Sequence, residues 1–103
     1  MSEKKPPSQP AAEADGPLVR RVTVLNRYGI HARPASLLVK AASRHPCEIY
    51  IEKEGLRVNA KSIMGLMMLA AGQGTKLVFR ASGEDAAELL DDLEALFKAN
   101  FNE

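Results

Sequence analysis

The sequence predicts an α+β domain in which helices cover one face of a β-sheet. The chain has 103 residues, a length typical of a single domain. Hydrophobic residues make up 46% and charged residues 26%, as in globular rather than disordered proteins. Beyond residue 17, segments with alternating apolar residues are interleaved with segments whose apolar residues recur at helical spacing. The predicted element order is β-α-β-β-α-β-α.

Residues 1–17 are predicted to form a disordered tail ahead of a domain that spans residues 18–103. The tail holds four of the six prolines and no large apolar residue except Met1. Such a segment cannot bury enough surface to offset the entropy lost on ordering it.

The first two elements are a strand around Val22 and Val24 and a helix over residues 32–43. Pro46 ends this helix, because the residue before a proline is disfavoured in the helical conformation. Residues 47–60 then alternate on both sides of a turn signal at Glu54, which predicts a β-hairpin.

The second helix is predicted over residues 63–69, with Ser62 as its N-cap and Gly72 and Gly74 ending it. A fourth strand follows at residues 77–81. The last helix is predicted to open with an approximate capping box at residues 82–85, followed by an amphipathic stripe that ends at residues 96–97.

Composition excludes several functional classes. A net charge of +1 argues against a strongly basic nucleic-acid binder, and no apolar run approaches the ~20 residues of a membrane span. The single cysteine, Cys47, cannot form an internal disulfide, which predicts a reducing, cytoplasmic location. His45 and Cys47 have metal-binding side chains but lack a second pair, so neither a metal nor a cofactor is expected.

The charges are unevenly distributed along the chain. Residues 18–62 contain nine Lys/Arg and three Asp/Glu, whereas residues 63–103 contain three and seven. This asymmetry indicates a face for acidic partners or phosphate. The alternative is an unevenly charged solvated surface.

The most informative segment is residues 29–35 (GIHARPA), between the first strand and the first helix. Pro34 fits the first turn of a helix and places His31 at the helix start. Backbone N–H groups there lack partners, so they attract anions and favour a neutral imidazole. With Arg33 to bind phosphate oxygens, His31 is a candidate for transient phosphorylation. The alternative is an exposed or capping histidine.

Residues 29–35, together with residues 61–65 (KSIMG), resemble the HPr family, the histidine-containing phosphocarriers of the bacterial phosphoenolpyruvate-dependent sugar phosphotransferase system. The resemblance covers roughly residues 18–100. It implies an open-faced β-sandwich with a four-stranded antiparallel sheet. It also implies that His31 accepts a phosphoryl group from enzyme I and passes it to the A components of sugar permeases, with Arg33 assisting.

The resemblance further implies that Ser62 is a regulatory phosphorylation site. An HPr kinase/phosphorylase and a transcriptional regulator would then join the partners of a monomeric protein. As an N-cap, Ser62 would tolerate phosphate at the helix start, so the added charge should perturb docking rather than folding. The alternative is a capping serine and nothing more.

The predicted second helix is apolar on nearly every side. One short helix on a sheet buries a single stripe, so Ile63, Met64 and Met67 are predicted to remain exposed and to bind partners beside Arg27 and Arg33. The alternative is that all of the apolar side chains pack inward.

Tyr28 departs from the family pattern, which often places a small polar capping residue three positions before the histidine. Asn26 is the candidate substitute, and the alternative is that the backbone groups at the helix start are left to solvent or to phosphate. This departure leaves open a regulatory HPr-like module of the nitrogen-related or catabolite-control branch, which acts through protein contacts. A free-standing enzyme is disfavoured, because so small a domain shows no second catalytic group.

Overall fold

The computed structural model describes residues 17–103, so the predicted tail, apart from Pro17, lies outside the described residues. Four strands and three helices follow in the predicted order. They are β1 (Leu18–Thr23), α1 (Ala32–Ala42), β2 (Glu48–Lys53), β3 (Leu56–Asn59), α2 (Ile63–Met68), β4 (Lys76–Ser82) and α3 (Ala86–Lys98).

The four strands form one antiparallel sheet in the order β1-β4-β2-β3. Strand β4 is therefore central, with Leu77 opposite Val22 on β1 and Phe79 opposite Ile51 on β2. The three helices pack together on one face, which confirms the predicted α+β open-faced sandwich.

The core lies between that face and the helices, because apolar residues on the strands and on the helical stripes meet there. Its largest fully buried side chains are Phe79, Phe101, Leu38, Ile49, Ile51, Leu66, Leu69, Leu77, Leu89, Leu90, Leu93 and Val24. Cys47 is also buried, and desolvation raises the pKa of its thiol. No helix within residues 17–103 has the length and apolar character needed to cross a membrane.

Two helix boundaries differ from the prediction. Helix α2 ends at Met68, and Ala70 adopts a left-handed φ of 51°, so the prediction that Gly72 and Gly74 end the helix is wrong. Helix α3 has Asp85 as its N-cap, with φ 65° and no side-chain capping bond, and Ser82 belongs to β4. The predicted capping box is therefore also wrong.

A short 3₁₀-type turn over Asn100–Asn102 follows α3 and was not predicted. Its three residues have φ of 50°, 55° and 61°, in the left-handed region of backbone conformation. Phe101 is completely buried, with its ring centroid 4.8 Å from that of Phe97. This contact returns the end of the chain to the body of the domain, beside the start of α1.

Candidate functional site

His31 is the N-cap residue of α1, with extended backbone angles of φ −92° and ψ −167°. Within residues 17–103 no side chain caps this helix, so its first N–H groups face outward. Asn26, the candidate substitute cap, does not cap it. The His31 side chain is 41% exposed. An accessible imidazole therefore lies at an uncapped helix start, where anions bind favourably.

The loop before His31 is fastened to the segment that follows α2. Ile30 is buried and donates its backbone N–H to the Ala71 carbonyl oxygen at 2.9 Å. Gly29 has φ +68°, and a Cβ there would lie only 2.2 Å from the same oxygen. Only glycine therefore fits without displacing one of the two segments, and the position of His31 depends on this close approach.

Glu103, a residue that no sequence pattern indicated, contacts His31 directly. The His31 Nε2 atom lies 2.6 Å from Glu103 Oε2, and Asn26 donates from Nδ2 to Glu103 Oε1 at 3.1 Å. Desolvation raises the pKa of the Glu103 carboxyl. The hydrogen bonds from Asn26 and His31, together with the charge of Arg33 and that of His31 whenever its ring is protonated, lower that pKa below its ordinary value. At neutral pH Glu103 is therefore a carboxylate.

Arg33 contacts the same C-terminal turn. Its Nη1 donates to the Phe101 carbonyl oxygen at 2.7 Å. One guanidinium carries five N–H donors, so this bond leaves others for an anion. The structure thus brings the two predicted residues, His31 and Arg33, against one segment that ends in Glu103.

Tyr28 lies against His31 instead of capping the helix. The two rings are edge-to-face, with centroids 6.1 Å apart, and the Arg27 guanidinium carbon is 5.3 Å from the Tyr28 ring centroid. Tyr28 itself is 68% exposed. Arg27, predicted as a partner-binding residue, therefore adds positive charge beside the aromatic edge of the site.

Ser62 is the N-cap of α2, as predicted, and its Oγ accepts the Gly65 backbone N–H at 3.0 Å. The predicted exposure of Ile63, Met64 and Met67 is also confirmed, and Met68 is exposed with them. Leu66 alone in α2 is fully buried and anchors the helix. The alternative in which every apolar side chain packs inward is wrong.

His45 and Cys47 do not form a shared site. Cys47 points into the core, whereas His45 Nε2 lies 3.0 Å from Asp92 Oδ2 and joins the end of α1 to α3. Ligand atoms of Asp85 and Glu88 lie within 4.8 Å of the His45 ligand atom. Exposed carboxylates commonly gather in this way without a metal, so the cluster carries no metal assignment.

The family model described as "PTS HPr component phosphorylation site" matches residues 18–99 of this chain. The chain belongs to the HPr family. Both segments that carried the resemblance, residues 29–35 and residues 61–65, lie inside the match. Phe101 and Glu103 lie outside it.

The relatives include both phosphocarrier HPr proteins and HPr-like Crh proteins. The phosphocarrier protein HPr of Treponema pallidum is 49% identical over 84% of this chain and 98% of its own length. The HPr-like protein Crh of Bacillus subtilis is 47% identical over 74% of this chain and 89% of its own.

Solved structures agree with the fold. HPr-C-His from Thermoanaerobacter tengcongensis has a TM-score of 0.81 and 40% identity, covering 84% of this chain and 97% of that one. Crystalline Crh of Bacillus subtilis has a TM-score of 0.65 and 46% identity, covering 77% and 91%. That Crh structure is described as a dimer with a swapped domain.

Proposed function

We propose that this chain is a phosphoryl carrier that accepts a phosphoryl group on His31 from enzyme I and passes it to the A components of sugar permeases. The observation that carries the proposal is the half-exposed His31 imidazole at the uncapped start of α1. The outward N–H groups and Arg33 complement the negative charge of the arriving group. On this proposal the chain is itself a substrate and a donor, and it has no turnover of its own.

The acceptor atom is Nδ1 on this proposal. Because Nε2 faces Glu103 at 2.6 Å, the neutral ring donates its hydrogen there and keeps the Nδ1 lone pair free. The lone pair forms the Nδ1–P bond while the bond from phosphorus to the donor breaks, and that electron pair leaves with the donor. Discharge to an acceptor reverses these steps and restores the neutral ring.

The test is transfer of labelled phosphate from phosphoenolpyruvate through enzyme I. We expect one acid-labile, base-stable phosphate per chain, lost completely in His31→Ala. His45→Ala is the matched control, because the sequence holds two histidines and His45 lies at the other end of α1. No incorporation into the parent chain, or equal incorporation into His31→Ala, would overturn the proposal.

A second candidate function is regulatory binding, favoured by the Crh relatives and by the cap at Ser62. Phosphate on Ser62 would add about −1.5 to −2 charges. It would lie directly beside the exposed apolar side chains of Ile63, Met64 and Met67. An HPr kinase/phosphorylase would add this charge, and a transcriptional regulator is the partner that would read it.

The Ser62→Asp variant tests whether this position controls docking. We expect phosphoryl transfer from enzyme I to slow about tenfold, because negative charge next to an apolar docking surface disfavours an acidic partner. Circular dichroism should remain unchanged, since Asp is also a good N-cap. Ser82→Asp is the control on an exposed serine of β4. Equal rates for the two variants would remove Ser62 from the docking surface.

The regulatory function makes a different prediction. It would be favoured if Ser62→Asp loses partner binding while His31→Ala keeps full biological function.

We propose a monomer acting in the cytoplasm. The family supports the location. Because Crh and an HPr from Thermoanaerobacter tengcongensis are described as dimers, the solution mass of the full chain decides the oligomeric state.

A further inference from the structure

We propose that Glu103 is a positioning residue for His31, which orients the imidazole and compensates the positive charge that the ring acquires when it is phosphorylated. The inference rests on the proposed phosphoryl acceptance at His31. It extends the site to a residue beyond the segment that matches the family model.

The Glu103 carboxylate is held from two sides. One oxygen faces His31 Nε2 at 2.6 Å, and the other accepts the Asn26 amide at 3.1 Å. Asn26 is itself buried and donates from the same Nδ2 to the Gly29 carbonyl oxygen at 2.7 Å. The amide thereby ties the carboxylate to the loop that carries His31. A carboxylate fixed on both oxygens has little freedom to turn away from the ring.

The polypeptide that delivers Glu103 is also anchored. Phe101, two residues earlier, is fully buried against Phe97. Its carbonyl oxygen accepts the bond from Arg33, a residue of the first turn of α1. The segment is therefore fixed by an apolar side chain and by two polar contacts to the His31 neighbourhood. Glu103 is itself solvent-exposed, but these contacts hold its carboxylate beside His31.

The chemistry explains what the contact contributes. When Nδ1 of a neutral ring forms a bond to phosphorus, the ring becomes cationic and retains its hydrogen on Nε2. A carboxylate that accepts this hydrogen stabilises the cation and holds the ring in the reactive tautomer. The lowered pKa of Glu103 keeps the carboxylate ionised at neutral pH. The contact therefore favours the charged product more than the neutral starting ring.

Glu103→Gln tests this role. The glutamine oxygen can still accept the Asn26 amide, which turns the glutamine NH₂ toward His31 and favours the tautomer with hydrogen on Nδ1. We expect phosphorylation by enzyme I to slow about tenfold or more. We also expect the ¹⁵N shifts of the His31 ring at neutral pH to move from the Nε2–H pattern toward the Nδ1–H pattern. Glu84→Gln, an exposed glutamate before α3, is the matched control and should change neither quantity.

The outcomes separate the inference from the proposed function. If the parent chain takes no phosphate from enzyme I, the proposed function fails, whatever the variant does. If the parent chain is phosphorylated and Glu103→Gln has the same rate and tautomer, only the positioning role fails. A faster rate in Glu103→Gln would also overturn it, because the carboxylate would then be shielding the ring from the arriving phosphate.

Discussion

Replacing Gly29 with alanine is expected to lower the free energy of unfolding by about 3 kcal/mol. Two costs add at this position. A non-glycine residue at φ +68° costs about 1 kcal/mol. The new Cβ would also lie 2.2 Å from the Ala71 carbonyl oxygen and 2.8 Å from the Gly72 Cα, so backbone must move. The displaced segment carries His31.

Gly55→Ala is the matched control for the steric cost. Gly55 has φ +88° in the β2–β3 turn, and a Cβ there meets nothing within 4 Å. We expect Gly55→Ala to cost about 1 kcal/mol, from the backbone conformation alone. Urea unfolding measures both variants. Equal losses would show that the approach of Gly29 to Ala71 is not tight in solution.

Replacing Phe101 with alanine is expected to cost about 3–5 kcal/mol. The ring is fully buried, and the variant loses both its transfer free energy and its edge-to-face contact with Phe97. For a domain of this size, each kcal/mol of lost stability lowers Tm by roughly 4–8 °C. Calorimetry of the parent chain and the variant measures the shift.

The same variant releases Glu103 from His31, because Phe101 anchors the turn between α3 and the site. Phe101→Leu is the control: it keeps an apolar side chain in the core and should retain most of the stability and the His31 ring signals of the parent chain. A Tm change of less than about 2 °C in Phe101→Ala would contradict the anchored turn.

The parts of the site that are local in sequence could be predicted. Pro34 fixes the start of α1 within a few residues, and His31 follows from it. Ser62 precedes an apolar segment and has the side chain of an N-cap, so both the cap and the excess of apolar surface on α2 could be anticipated. These inferences require only short-range geometry: helical spacing, proline stereochemistry and the unpaired amides of a first turn.

The contact between His31 and Glu103 could not be predicted, because it joins residues separated by 72 positions and depends on the whole sheet and on α3. One signal was available. Phe101 lies four residues after Phe97 and continues the apolar stripe of the last helix, which indicates that the chain end packs inward. The left-handed conformation of Ala70 could not be predicted in this way, because alanine rarely adopts it and nothing local in the sequence indicates it.

The pairing of β1 with β4 and the contact between Glu103 and His31 have a consequence during synthesis on the ribosome. Strand β1 has no sheet neighbour until residues 76–82 have emerged, and the imidazole lacks its carboxylate until residue 103 is made. Such distant pairing delays assembly of the domain until both β4 and the segment that carries Glu103 have been made. A nascent chain that has not yet reached residue 103 therefore presents His31 without the carboxylate that contacts it.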